Sequence, residues 1–344
     1  MTAERSGIVC VGCVVVDLGK VIDAYPEPNR MALIDELSLS TGGPALNMVV
    51  GLAQLEAPFP RLLFGAIGQD PHGDYIRAEC ERRGIDASGL QILPERATSF
   101  TDVMLERDGG RRTMFYYAGT NDHFDATTIE FEDAGAKILH AGAPGTLALM
   151  DTPTAAGAGN GWSALLERGR EAGLHTNMEL VDIPVERTME LVPPCLPHLD
   201  SLIINELEAG ALTGLSRPTP SADGPVDWAT LDEMARRLVG QGVSTMAVIH
   251  FPAGCVAATA DGTVYRQGSV RVPAAEVRSA VGAGDAFAAG VLYGVHEDWS
   301  IEASLRLAVA SAAACLRVAH TSEGIKPAEV CLAEADELGY RQTS

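Results

Sequence analysis

Two glycines bracket an alanine and run straight into an acid at Gly282-Ala283-Gly284-Asp285, and an apolar helical pattern follows with Phe287, Val291 and Leu292 on its core side. Glycines at a helix start let a ligand approach the backbone. The unpaired first-turn N–H groups, aided by the helix dipole, form an anion site there. A carboxylate beside a bound anion is electrostatically costly, so Asp285 is either a group that takes a proton at that place or a plain N-terminal helix acid. These four residues alone leave both readings open.

The surrounding elements follow an alternating rhythm. Residues 8–16 form a continuous Val-rich apolar run, as expected of a strand buried on both faces of a parallel sheet, and similar runs recur at KILHAG, SLIIN and MAVIH. Between them lie helix-like stretches, PALNMVVGLAQL, YIRAECERRG, WSALLERGREAG and TLDEMARRLVGQG, several closed by glycine. This order predicts an α/β fold with a doubly wound, mostly parallel sheet and helices on both faces. Two segments break the rhythm. Residues 98–118 alternate like strands on either side of Asp108-Gly109-Gly110, a hairpin signal, and residues 18–41 read as extended chain. Packed together they would form a small sheet off the main domain. Asp261-Gly262 marks a second hairpin, and no linker divides residues 1–344 into independent domains.

Composition narrows the partner. The 344 residues are 47% hydrophobic, enough for a large core, and carry 46 acidic against 25 basic residues for a formal charge of −21. Nucleic acid and anionic membrane surfaces need basic patches, so a small molecule is expected instead. The N-terminus lacks a signal-peptide layout, no apolar run is long enough to span a bilayer, and seven scattered cysteines suit a reducing compartment. A cytoplasmic protein is the expectation. Cys10 and Cys13 form a CxxC inside an apolar run, which reads as core rather than as a metal or redox pair.

No GxxxxGK[ST] loop, HExxH helix or GxSxG elbow is present. GAGDAFAAG, late in the chain, resembles the signature of the ribokinase-like, or PfkB, carbohydrate kinase family. TGGPALNMVVGLAQL with Gly42, Gly43 and Asn47 resembles the family's other signature. GAIGQDPHGD is similar to the loop after its next strand, and INELEAGALTG matches its NxxE pattern at Asn205 and Glu208. The four motifs occur in the family's order and span nearly the whole chain.

The resemblance implies ATP-dependent phosphorylation of a sugar or sugar-like polyol. Such transfer needs alignment and charge neutralisation more than covalent chemistry. Asp285 would then be the base, with Gly282, Ala283 and Gly284 as the anion hole. Asp17, at the end of the first strand, with Gly42, Gly43 and Asn47 would hold the sugar. Asn205 and Gly254 would serve the nucleotide, and Glu208 the Mg²⁺, held as much through water as directly. NELE also reads as a capped helix start, and the two readings are compatible. Residues 18–41 and 98–118 would form a lid whose apolar rows, Val103 and Leu105 on one strand and Phe115 and Tyr117 on the other, could instead be core positions, and lid pairing would make a homodimer.

The chain departs from the family at Ser279-Ala280, where Asp-Thr is usual and helps bind a monovalent cation, and at VIHFPAGC, residues 248–255, in the nucleotide loop. Potassium activation and nucleotide preference are therefore open. Val15 stands where ribokinase carries an early Asn, which argues against ribose. A nucleoside kinase is the alternative, with Tyr116 and Tyr117 available to stack on a base. Arg30, Arg111 and Arg112 leave a phosphosugar acceptor open, and a sugar-binding regulator that has lost turnover is the remaining alternative.

Overall fold

The computed structural model describes residues 5–107, 112–131, 135–154, 159–215, 225–318 and 324–343. From the N-terminus, β1 (Ile8–Gly12) is followed by β2 (Val15–Ile22), β3 (Ile34–Gly42), α1 (Pro44–Gln54), β4 (Arg61–Ile67), α2 (Pro71–Arg82) and β5 (Asp86–Ile92). A hairpin of β6 (Phe100–Glu106) and β7 (Arg112–Tyr117) leads to β8 (Ile138–Gly142), α3 (Gly161–Glu171), β9 (His175–Met178), α4 (Val185–Leu191), β10 (Ser201–Asn205) and α5 (Glu206–Thr213). The chain then passes through α6 (Trp228–Gly240), β11 (Met246–Phe251), β12 (Gly254–Thr259) and β13 (Val264–Gly268). It ends in α7 (Ala283–His296), α8 (Ile301–Leu316) and α9 (Ala328–Leu338).

Nine strands form one sheet in the order β13-β12-β11-β10-β9-β8-β1-β4-β5, parallel except for the antiparallel pairs β11/β12 and β12/β13. The expected second hairpin is β12–β13, turning at Gly262 with φ +88°. Alternate strand residues serve two cores. Ile8, Cys10 and Ile138 pack under α1, α7, α8 and α9, whereas Val9, Val11 and Leu139 pack against α3, α5 and α6. This is the doubly wound α/β architecture. All seven cysteines are buried and free, and burial pushes the Cys13 thiol up to about 12, so Cys10 and Cys13 are core residues. Among the described residues no helix is long and apolar enough to cross a membrane.

The apolar run of residues 8–16 is not one strand. It breaks after Gly12, whose φ of +136° favours glycine and whose added Cβ would lie 1.9 Å from Gly142 O. The chain leaves the large sheet there and enters a second one. Asp17 therefore lies in β2 and not at the end of the first strand.

This second sheet has four strands in the order β3-β2-β6-β7, with β2/β6 parallel and the outer pairs antiparallel. It is built from the two segments that broke the α/β rhythm. The proposed turn Asp108-Gly109-Gly110 lies outside the described residues. The register separates the two apolar rows: Val103 opposes Met114 and Leu105 opposes Arg112, while Phe115 opposes Asp102 and Tyr117 opposes Phe100. Directly opposed residues share a face, so Val103 and Leu105 lie on the other side of the sheet from Phe115 and Tyr117. One side of this sheet faces a cleft. The other exposes Leu37, Leu39, Phe115 and Tyr117.

Candidate active site

Parallel sheets place their loops and helix N-termini at the C-terminal ends of the strands, where ligands bind. Gly12, Gly142, Glu179, Asn205 and the His250 end of β11 all lie along that edge here. The first turn of α7 belongs to the same region. Gly282 is its N-cap with φ +74°, and no side chain caps the helix. Ala283 N–H is directed at Ala280 O at 3.3 Å, which leaves the amides of Gly284 and Asp285 as the first-turn donors suited to an anion. The ring of His250 lies beside this turn: its Cε1 would stand 3.4 Å from a Cβ on Gly284, and it packs 5.0 Å from the Phe287 ring. Desolvation pushes His250 down to about 4, which makes it neutral near pH 7.

Asp285 is the third residue of α7, and its Oδ2 accepts a hydrogen bond from Asn47 Nδ2 at 2.6 Å. Asn47 is buried on α1, and its Oδ1 accepts from Thr41 Oγ1 at 3.4 Å. The pair joins residues 238 positions apart. Asn47, expected to hold sugar, thus also bonds Asp285 through one N–H of its amide.

Asp17, on the small sheet, lines a cleft beside the segment before α7. Desolvation pushes its carboxyl up to about 7, a hydrogen bond from Thr101 and the charge of Arg112 oppose that rise, and the charge of Asp285 adds to it. Gly42 explains how the carboxylate fits, because a Cβ there would lie 2.4 to 2.6 Å from the Asp17 carboxyl atoms. Gly43, the α1 N-cap at φ +85°, presses against Cys13 O in the same way. The cleft between the small sheet and the segment before α7 holds about 120 Å³, lined by Asp17, Val21, Ser38, Ser40, Arg112 and, from the main domain, Ser279.

Asn205 and Glu208 form a capping box: Asn205 Oδ1 accepts from the N–H groups of Leu207 and Glu208 at 2.9 Å, and Glu208 Oε2 accepts from Asn205 N–H at 2.9 Å. Desolvation, with the charges of Asp182 and Glu206 adding to it, pushes Glu208 up to about 7. One Glu208 oxygen serves the cap, and the other is the available donor. The charges of Asp182 and Glu206 act on Glu208, which suits a cation nearby, although among the described residues no three side chains are arranged to hold a metal directly. The residues therefore fit a Mg²⁺ held mainly through water.

Gly254 opens β12, and its added Cβ would meet Gln267 O at 2.3 Å. Strand packing accounts for that glycine without a ligand. The GAIGQDPHGD loop has an anchoring role. Asp70 caps α2 through Gly73 N–H and also accepts from Thr98 N–H and Oγ1 at 2.7 Å, which ties the main domain to the start of the β6–β7 hairpin. Sequence reasoning missed Glu179, buried beside Asp285, and Thr101, the hydroxyl on Asp17. No motif marks Glu179. Its one signal is an acid directly after a buried strand at the ligand-binding edge.

Residues 5–328 match the family described as pfkB family carbohydrate kinase. The chain belongs to the pfkB family of carbohydrate kinases. It is 26% identical to probable fructokinase-6, chloroplastic, of Arabidopsis thaliana, over 95% of this chain and 80% of that one. It is also 26% identical to the ATP-dependent ribose-1-phosphate kinase of Halopiger xanaduensis, over 97% and 98%. Among solved structures, Arabidopsis thaliana ribokinase complexed with ribose and ATP superimposes with a TM-score of 0.76 at 21% identity, covering 96% of this pfkB chain and 99% of that one. The ribokinase-like fold expected from the motifs is thereby shown.

Proposed function

We propose that this carbohydrate kinase transfers the γ-phosphoryl group of ATP to a hydroxyl of a free sugar or sugar-like polyol, with Asp285 as the general base. The observation that carries the reading is the Asn47–Asp285 hydrogen bond of 2.6 Å at the first turn of α7. It orients a carboxylate beside amides suited to the transferring phosphoryl group, so proton removal and charge stabilisation occur at one place. Gly282, Ala283 and Gly284 form the anion hole, with the Gly284 amide its best-placed donor. Asp17, in the bay left by Gly42, accepts from sugar hydroxyls, and Gly43 and Asn47 shape the same wall. Asn205 and Gly254 lie on the nucleotide side. Glu208 would hold Mg²⁺, largely through water, and the ion would supply charge neutralisation for the phosphates.

The four-stranded sheet acts as the lid, excluding water from the transfer site. Its exposed outer residues Leu37, Leu39, Phe115 and Tyr117 are the proposed homodimer face. A cytoplasmic setting suits seven unpaired cysteines. The nucleoside alternative loses support because Tyr116 and Tyr117 are adjacent on β7 and point to opposite faces. Tyr116 Oη is bonded to Thr146 O, and Tyr117 stacks on Phe100. A phosphosugar acceptor keeps one observation in its favour, the guanidinium of Arg112 in the cleft that Asp17 lines. An ADP-release screen across free sugars, sugar acids, nucleosides and phosphosugars tests the proposal. Turnover of a free sugar or polyol supports it, and turnover confined to nucleosides or phosphosugars overturns the acceptor class.

A further inference from the structure

Between the 3₁₀ turn Ala274–Glu276 and the start of α7 the chain has neither helix nor strand, yet Ser279 and Val281 line the Asp17 cleft and Gly282 opens the anion-binding turn. Contacts from outside the segment must fix it. Arg278 N–H and Ser279 N–H donate to Leu316 O at 2.8 and 3.4 Å, and Val281 O accepts from Cys315 Sγ at 3.4 Å. Arg317 Nη2 bridges to Glu276 Oε2 at 2.8 Å. All four contacts end on residues 315–317, the C-terminal turn of α8 and its C-cap Arg317. Helix ends leave carbonyls such as Leu316 O free to accept, and a guanidinium there complements the helix dipole.

α8 is in turn held against α7. A Cβ on Gly290 would lie 2.6 Å from Ala308 Cα, and one on Gly294 3.0 Å from Ser304 Cα, so the two helices meet backbone to backbone and resist sliding. The helix that begins with the anion-binding turn and the helix whose end grips the preceding segment thus form one rigid hairpin. The other arm of the guanidinium, Arg317 Nη1, bonds Glu334 Oε2 on α9 at 3.0 Å, and Lys326 pairs with the same carboxylate. This second bond sets the direction in which Arg317 reaches Glu276.

We propose that Arg317 is a positioning residue of the transfer reaction: by holding Glu276 it fixes the segment that leads into Gly282–Gly284, so that the first-turn amides of α7 meet the transferring phosphoryl group. This rests on the reading of that turn as the anion hole. Arg317 and Glu276 keep 33% and 42% of their side-chain surface in solvent, so the pair adds little to overall stability. Displaced amides, by contrast, cost rate directly.

The test is steady-state kinetics of R317A, E276A, the double variant R317A/E276A, R306A and D285N on the sugar found in the screen, with the melting temperature of each. R317A is expected to lose roughly 5- to 20-fold in kcat with the KM values for sugar and ATP held within about threefold, the signature of misplaced chemistry rather than lost binding. E276A should show most of the same loss, and the double variant should be no more than about twofold slower than R317A, because both substitutions cut one link. R306A is the control for packing alone: it cuts the ion pair of α8 with Asp336 on α9 nearer the start of the helix and should keep kcat within about twofold of wild type. A kcat for R317A within about twofold of wild type, a rise in KM at constant kcat, losses that multiply in the double variant, or R306A as slow as R317A overturns the proposal. D285N separates the two readings. If it keeps wild-type activity, transfer does not take place at the α7 turn and the underlying reading fails, whereas an inactive D285N beside a fully active R317A removes only Arg317. Should R317A fail to fold, E276A decides from the segment side of the link, because its loss in kcat supports the proposal and a kcat within about twofold of wild type contradicts it.

Discussion

The two sheets solve different problems with the same chain. In the nine-stranded sheet both faces are covered, and Ile8, Val9, Cys10, Val11, Ile138 and Leu139 have no exposed surface. In the four-stranded sheet β7 is exposed along its whole length, and Leu37 keeps 75% of its surface in solvent. A covered sheet holds atoms to fixed places, which phosphoryl transfer demands of Asp285, Asn47 and the α7 amides. A sheet open on one side can move as a unit, which a lid demands, and Asp17 rides on it. On the proposed reading, recognition on the small sheet and chemistry at α7 would make closure a condition of transfer.

The largest expected effect falls on the fixed part. D285N should lower kcat by roughly 10²- to 10⁴-fold while leaving the fold intact, because the loss falls on the transition state. A steady-state assay checks it, and activity within a few-fold of wild type would break the division. On the small sheet, D17A should raise sugar KM by roughly 10- to 100-fold and blur discrimination among sugars, since a site built to bond a hydroxyl rejects analogues that lack it.

Equal truncations in the two sheets should differ in stability. I138A removes side-chain atoms from a closed core and should cost about 2–5 kcal/mol in a denaturant titration, whereas F115A in the half-exposed sheet should cost under about 1 kcal/mol per monomer. F115A should instead shift the solution mass towards the monomer, which light scattering would register. Similar losses at both positions would show that the small sheet is core.

The smallest effect is on pH. Desolvation raises Asp17 from its ordinary 3.8 to about 7, so in the free protein its folded form binds a proton that its unfolded form releases. That contribution to stability is fully present below about pH 4 and is lost as pH rises through about 7. Melting temperature should therefore fall by a few degrees between pH 5 and 8 in wild type and less in D17N. Sugar affinity should move the opposite way, since the ionised carboxylate is the better acceptor. A flat profile would show that Asp17 is already ionised at pH 5.

Legibility in the sequence followed the same division. Long apolar runs and capped helices announced the large sheet, because burial on both faces leaves no alternation to misread. GAGD and GGPALN located both ends of the Asn47–Asp285 bond, but not the bond itself, since it depends on α1 and α7 packing together. The break of the 8–16 run at Gly12 was hidden because its cause is the close approach of Gly142, 130 residues away. Which faces the two apolar rows of the small sheet take was not legible, because register is set across strands, not along them. Glu179 was invisible for the same reason, as an ordinary acid in a stretch whose neighbours come from three strands.

The most direct measurement is calorimetric titration of the identified sugar into D285N and D17N side by side. D285N is expected to bind it within about threefold of wild type, because Asp285 acts in the transition state, and D17N to lose at least about tenfold in affinity. If D285N loses the sugar and D17N keeps it, recognition resides at α7 rather than on the small sheet, and the account is wrong.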